Sequence, residues 1–234
     1  MVKGTLFLIP VPLAENAADK SFTSYLGDTI NSISTYIVEN EKTARKFLKE
    51  AGIRTPQQEL QIHDYGKHKR NDSMVPYFKE LMTGKDVGLM SEAGCPGVAD
   101  PGAEIVLEAH KRGIKVVPLV GPSSILLALM ASGFNGQSFA FWGYLPIDKE
   151  QRTKRIKDLD LSASRYKQTQ IFIETPFRNN QLFEEVLKSC KPNTQICVAS
   201  NLTAEDEFIK TQSVYNWRKE EIDLHKKPTI FLMY

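Results

Sequence analysis

The sequence predicts an α/β protein of two lobes, the first built on a parallel sheet and the second on a mixed sheet. Three observations carry that prediction. Short apolar runs in the first half alternate with helical patterns of about ten residues, as parallel βαβ units require. Glycine- and proline-rich loops close several of those runs. Beyond about residue 118, aromatic and β-branched runs follow one another with fewer helical patterns between them, which implies a mixed sheet. The lobes are bounded at 1–118 and 119–234, with the joint near Pro118 to Gly121.

Each element has a local reason. Thr5 to Ile9 is an apolar run stopped by Pro10 and reads as a buried strand. Ser34 to Val38 is β-branched and aromatic, a second strand. Glu41 to Ala51 is helical and ends at Gly52, and Met74 to Thr83 is helical and ends near Gly84. Asp86 to Met90 is a strand, Ala103 to Arg112 a helix stopped at Gly113, Ile114 to Val120 a strand and Ser123 to Ser132 a helix. In the second lobe Ser138 to Trp142, Gln170 to Ile173, Gln195 to Ala199, Phe208 to Val214 and Thr229 to Met233 read as strands. Asn180 to Ser189 is the helix among them.

Composition narrows the class. A chain of 234 residues with 41% hydrophobic and 25% charged residues suits one large domain or two small ones. A net charge of +2 names no electrostatic partner, so nucleic-acid binding would need a local basic patch. The cysteines Cys95, Cys190 and Cys197 are odd in number and form no C-x-x-C pair, which argues against a disulfide framework or a structural zinc site. That usage fits a reducing compartment, hence a cytoplasmic protein. The opening MVKGTLFLIPVP has a short apolar run closed by proline and reads as a strand, not a signal peptide. No stretch approaches the roughly 18 apolar residues of a membrane span.

Three loops hold the chemistry. SEAGCPGVADPG, Ser91 to Gly102, follows the carboxyl end of a predicted parallel strand, where open α/β sheets place ligands. Gly94, Gly97 and Gly102 permit positive φ or close backbone approach, and Pro96 and Pro101 stiffen the loop. Its spacing matches neither G-x-G-x-x-G nor a Walker loop, so phosphate cradling lacks support. A tight turn without a ligand is the structural alternative. Val120-Gly-Pro-Ser-Ser124 repeats the arrangement, and Ser123 or Ser124 also serves as a helix N-cap in the simplest reading. Ile171 to Arg178 places Glu174 and Arg178 at another strand exit, as a substrate-orienting carboxylate or base, or as an ion pair at the next helix. Lys149 to Lys157 holds five basic residues that would track phosphates or form a solvated helix face. His63 and His68, with Lys67, Lys69 and Arg70, lack a third metal ligand at suitable spacing, so no metal site is expected.

Taken together, SEAGCPGVADPG, VVPLVGPSSILLALMASGF, FAFWGYLP, IFIETPFR and the LT of ASNLTAEDEF come in the order and spacing of one family. The chain resembles the tetrapyrrole methylase superfamily of S-adenosylmethionine (SAM)-dependent methyltransferases over almost its whole length. Within it, the chain is most similar to the branch that methylates a ribose 2′-hydroxyl of small-subunit ribosomal RNA, which the opening GTLFLIPVPL also fits. The resemblance implies two α/β lobes with SAM in a cleft between them, a homodimer, and RNA (rRNA or a ribosomal subunit) as partner. It carries cofactor contacts onto Pro10, Ala93, Gly94, Cys95, Val98, Ser123, Ser124, Glu174, Leu202 and Thr229. The chain departs from the branch at Leu13 to Asn16, at Val38 to Thr43, at Ser200-Asn201, and at Glu92, where aspartate is usual. These positions bear on substrate handling.

Methyl transfer from a sulfonium is an in-line displacement that asks the protein for alignment and exclusion of water. A hydroxyl nucleophile also gives up a proton. Glu174 is the candidate base, with Glu39 and Asp100 in reserve. Two other readings stand beside RNA methylation: the same chemistry on a tetrapyrrole-like small molecule, and a SAM- or RNA-binding protein without catalysis.

Overall fold

The computed structural model describes residues 2–65 and 75–234. The chain divides into two compact units, Met1–Ser123 and Ser124–Tyr234. The first contains β1 (Thr5–Leu8), α1 (Ser24–Ser32), β2 (Thr35–Val38), α2 (Glu41–Glu50), β3 (Gln61–Asp64), α3 (Val75–Met82), β4 (Val87–Met90), α4 (Ala103–Lys111) and β5 (Lys115–Pro118). Its strands lie in the order β3-β2-β4-β1-β5, and every pairing is parallel. The central strands β2 and β4 are buried along their full length, while the edge strands β3 and β5 are partly exposed. Pro118, which lacks an N–H, is tolerated because β5 is an edge.

This order contains a reversal. From β1 the chain moves outward to β2 and β3; from β4, the immediate neighbour of β1, it moves the opposite way to β5. Right-handed crossovers running in opposite directions put their helices on opposite faces. Two separate cores result. Ile9, Leu26, Ile30, Tyr36, Phe47 and Met90 pack with α1 and α2, while Leu6, Ile37, Phe78, Leu81, Leu89 and Ile105 pack with α3 and α4. A crevice outside the carboxyl ends of β1 and β4 follows from the reversal.

Two elements of this unit escape the sequence reading. SYLGDTINS, α1, is mostly polar, but Thr23 caps it by accepting from the Leu26 N–H at 3.1 Å, and Leu26 and Ile30 bury one face. QIHD, β3, is an edge strand with no fully buried residue, so its periodicity is faint.

The second unit contains α5 (Ser124–Ser132), β6 (Phe139–Tyr144), α6 (Lys149–Tyr166), β7 (Thr169–Ile173), α7 (Asn179–Ser189), β8 (Gln195–Ser200), β9 (Phe208–Ser213), α8 (Val214–Trp217) and β10 (Thr229–Met233). The sheet is mixed, in the order β6-β7-β10-β8-β9, with β6 and β7 parallel and the other pairs antiparallel. Its core joins Ile156, Leu159 and Ala163 of α6, Leu182 and Val186 of α7, Trp217, and Phe172, Val198 and Phe231 of the sheet.

The expectation of few helices in this half needs correcting, because α6, at 18 residues, is the longest helix described. Its polar composition hides it; the signal was the spacing of Ile156, Leu159 and Ala163 along one stripe. Asp148 caps its start by accepting from the Gln151 N–H, and Lys167 ends it in the left-handed region at φ +50°. The basic run is also split by the fold. Arg152 is 5% exposed and pairs with Glu185 of α7 at 2.7 Å, while Thr153 donates to the other oxygen of that carboxylate at 2.6 Å. Arg152 therefore fastens α6 to α7 and is not available to a phosphate.

A buried pair that loses one member leaves an uncompensated charge. Arg152→Leu is expected to lower the stability of the protein by about 3–5 kcal/mol in urea denaturation. Arg152→Leu/Glu185→Leu is expected to recover most of that loss.

Candidate functional site

The loops that follow β4, β1 and β5 leave three adjacent strands at the same end of the first sheet. They are fastened to one another by backbone groups. The Val11 N–H donates to the Gly94 carbonyl at 2.9 Å, and the Gly94 N–H donates to the Val11 carbonyl at 2.8 Å. This two-residue antiparallel bridge joins the loop after β1 to the loop after β4. Gly94 accepts that geometry because its φ is +73°, where a side chain would be strained. The Cys95 thiol donates to the Pro122 carbonyl at 3.3 Å and ties in the third loop. Gly121 completes the contact, since a Cβ there would overlap the ring of Pro10.

The loop over Ser91–Gly102 is fixed further along its length. The Tyr65 hydroxyl donates to the Pro101 carbonyl at 3.1 Å, and Tyr65 itself is 5% exposed at the end of β3. Sequence reasoning missed this residue, because an aromatic after a polar edge strand carries no distinguishing pattern. Within the frame, Gly94 and Pro10 are buried and Cys95 is half-buried, while Ala93 and Val98 are exposed. Val120, in the third loop, is 81% exposed. Ser123 precedes α5 and Ser124 is its first residue.

Electrostatics in two of these loops are one-sided. From Ser91 to Gly102 and from Leu119 to Ser124 the only charged residues are Glu92 and Asp100. Burial, together with the charges of Glu39 and Glu92, pushes the Asp100 carboxyl up to about 6, against a hydrogen bond from Ser91 that lowers it. Burial also raises the Cys95 thiol, which marks it as a protonated donor and not a nucleophile.

In the second unit, Glu174, Leu202 and Thr229 are buried and meet at one end of three neighbouring strands. Glu174, at the exit of β7, accepts from the Thr175 N–H at 2.6 Å and from Arg178 at 2.7 Å. The ion pair left open by the sequence is therefore present, and it braces the start of α7. The Asn201 N–H donates to the Pro228 carbonyl at 2.9 Å, and the Lys226 N–H donates to the Pro176 carbonyl at 3.0 Å. These bonds connect the loops carrying Leu202 and Glu174 to the segment before Thr229. The Thr229 hydroxyl lies 2.9 Å from the Lys227 carbonyl and 3.2 Å from the Ser200 hydroxyl.

Segments that depart from the ribose-methylating pattern hold structural places. Asn40 caps α2, accepting from the N–H groups of Lys42 and Thr43 at 2.9 and 3.2 Å. Glu15 pairs with Lys46 at 2.8 Å. Asn201 sits at φ +49° and donates to Asp206 at 2.7 Å. His63 packs edge-on against Tyr77, and Lys67, His68, Lys69 and Arg70 lie outside the described residues. Among the described residues no group of three or more His, Cys, Asp or Glu is placed to hold a metal ion. No helix among them is long and apolar enough to cross a membrane.

The family model described as Tetrapyrrole (Corrin/Porphyrin) Methylases matches residues 17–216. Ribosomal RNA small subunit methyltransferase I of Vibrio cholerae serotype O1 is 29% identical over 98% of this chain and 76% of its own length. The protein of the same name from Bacillus subtilis is 32% identical over 93% of this chain and 71% of its own length. Among solved structures, the methyltransferase CobJ superposes with a TM-score of 0.63 at 18% identity, covering all of this chain and 94% of that one. Uroporphyrin-III-C-methyltransferase from Thermus thermophilus gives 0.59 at 15%, covering 99% and 94%. These structural likenesses carry the two-sheet α/β fold.

Asp100 provides a test of the site's electrostatics. Its folded-state value, about 6, lies above the ordinary 3.8, so the folded protein binds the proton more tightly than the unfolded chain. The group's contribution to stability is complete below the ordinary value and is lost as pH rises through about 6. Asp100→Asn is expected to be more stable than the parent at pH 7, with the difference vanishing by about pH 4. Urea midpoints across that range measure it, and a difference independent of pH would disprove the assignment.

Proposed function

This chain belongs to the tetrapyrrole methylase family of methyltransferases, and we propose that it transfers the methyl group of SAM to a ribose 2′-hydroxyl of small-subunit ribosomal RNA. The observation that carries the substrate class is identity of 29–32% to proteins named for small-subunit ribosomal RNA methylation, across 93–98% of the chain.

The loops of the first unit fit the cofactor. SAM supplies a methyl group on a positively charged sulfur. Loops containing Glu92 and Asp100 and no lysine or arginine favour such a charge. Val98 and Val120 offer exposed apolar surface for an adenine ring. The Val11–Gly94 bridge fixes backbone groups of Ala93 and Cys95 in advance, so less order has to be imposed on binding. Pro10, Ser123 and Ser124 belong to the same set of loops. Glu174, Leu202 and Thr229 are the cofactor contacts assigned to the second unit.

Proton removal falls to Asp100 in this reading. A carboxylate with its pKa raised toward neutrality is ionised at pH 7 and is a better base than an ordinary one. Glu174 is committed to Arg178 and to the start of α7, so it does not serve as the base. A homodimer is part of the same reading, and a monomer mass by light scattering would remove it.

Titration calorimetry with SAM, followed by tritiated-methyl transfer to small-subunit ribosomal RNA, tests the proposal. Gly94→Arg or Ser123→Arg is expected to weaken SAM binding about tenfold or more, near 1.4 kcal/mol. Asp100→Asn should lower kcat by about 10²–10⁴ and weaken SAM binding only modestly, because Glu92 still supplies negative charge. Absence of SAM binding by the folded protein would rule out SAM as the methyl donor and, with it, the proposed transfer.

A further inference from the structure

The edge strand β6 and the flank of α6 beside it present two aromatic–arginine pairs to solvent. Trp142 is 41% exposed, and its indole N–H donates to Gln170 at 2.7 Å. Gln170 is itself fully buried and donates to the Gln168 carbonyl at 3.0 Å, so the ring is held from below. An irregularity between Phe141 and Tyr144, with Gly143 at φ +63°, inserts one extra residue into β6 at this point. Bulges of this kind re-aim a side chain. The Arg155 guanidinium lies 4.0 Å from the centroid of the Trp142 ring. Among the described residues no carboxylate pairs with it.

A second pair stands further along the helix. Tyr166 is 63% exposed, with the Arg165 guanidinium 5.5 Å from its centroid. Positions 155 and 166 are separated by three turns of helix, about 16 Å, and so fall on the same flank of α6. The exposed charged side chains of the helix are Lys149, Lys154, Lys157 and Arg165 against Glu150 and Asp158, so its solvent face is net positive.

Isolated surface cations usually serve solubility. A rigid, exposed tryptophan stacked with an arginine is different, because it leaves a flat cationic face for a flat partner. Nucleobases stack on aromatic rings and on guanidinium planes, and the sugar–phosphate backbone beside them is drawn to lysine and arginine. We infer that this flank of the second unit is a binding surface for single-stranded RNA, with Trp142–Arg155 and Tyr166–Arg165 as two stacking points. The surface deepens the proposed RNA methylation and rests on it. It commits to unpaired RNA because the aromatic faces need unstacked bases, which a duplex does not offer.

Trp142 is also a reporter, since the other of the two tryptophans, Trp217, is fully buried. A short unstructured RNA added to the whole protein is expected to quench indole fluorescence, and anisotropy of a labelled copy gives the Kd. Trp142→Ala should weaken RNA binding about 5- to 100-fold, as loss of one stacked base does. Trp142→Phe should restore most of it, and Arg155→Gln, which leaves the ring and its bond to Gln170 in place, should weaken it several-fold. SAM affinity should be unchanged in all three variants. If the parent binds and methylates RNA while Trp142→Ala and Arg155→Gln bind it equally well, the surface is wrong and the RNA substrate stands. If the parent binds SAM but no RNA, the RNA reading falls and this surface with it.

Discussion

The Val11–Gly94 bridge is the constraint on which the first unit's candidate site depends. A parallel sheet delivers loops to its carboxyl edge but does not fix them to one another, because each leaves for a different helix. Two reciprocal backbone bonds convert neighbouring loops into a single surface. They form because Gly94 takes a positive φ and because Gly121 lets Pro10 approach without a Cβ between them. The conspicuous glycines and prolines are thus joints between loops more than points of freedom within one.

The same close packing explains the electrostatics. Loops fastened through backbone groups need few side chains, and from Ser91 to Gly102 and Leu119 to Ser124 the side chains that do carry charge are acidic. Asp100 is drawn partly out of water and set near Glu39 and Glu92, so its proton is held more tightly than in free solution. An environment like this disfavours further negative charge and favours a cation. The preference comes from the fold, since Glu39 and Asp100 are far apart in the chain and follow two neighbouring strands, β2 and β4.

In the second unit, polar groups are committed to fastening elements. Arg152 with Glu185 and Glu174 with Arg178 stand where a sequence reader would look for catalysis or phosphate binding, and Asn179 beside them donates to the Lys227 carbonyl. Each is instead a bond between an element and its neighbour. Buried charge demands a partner, so a charged residue beside an apolar stripe is first a structural candidate. Arg155, one residue from Ile156 and turned toward Trp142, shows the alternative outcome in the same run.

Much of the fold was legible because it rests on local signals. The periods of β1, β2, β4, α2 and α4, and the glycines that end the helices, set the parallel half, and the five ordered motifs identified the family over most of the chain. Elements whose apolar stripe is thin, α1, β3 and α6, were not legible, because their burial is supplied by partners distant in sequence. The candidate loops could be named from sequence, whereas their attachment through Val11–Gly94, Cys95–Pro122 and Tyr65–Pro101 could not. Sequence by itself determined the fold class and the family, both of which depend on residue type and spacing. Tertiary structure alone decided which charges are committed and which are open, because burial and pairing depend on neighbours that only folding brings together.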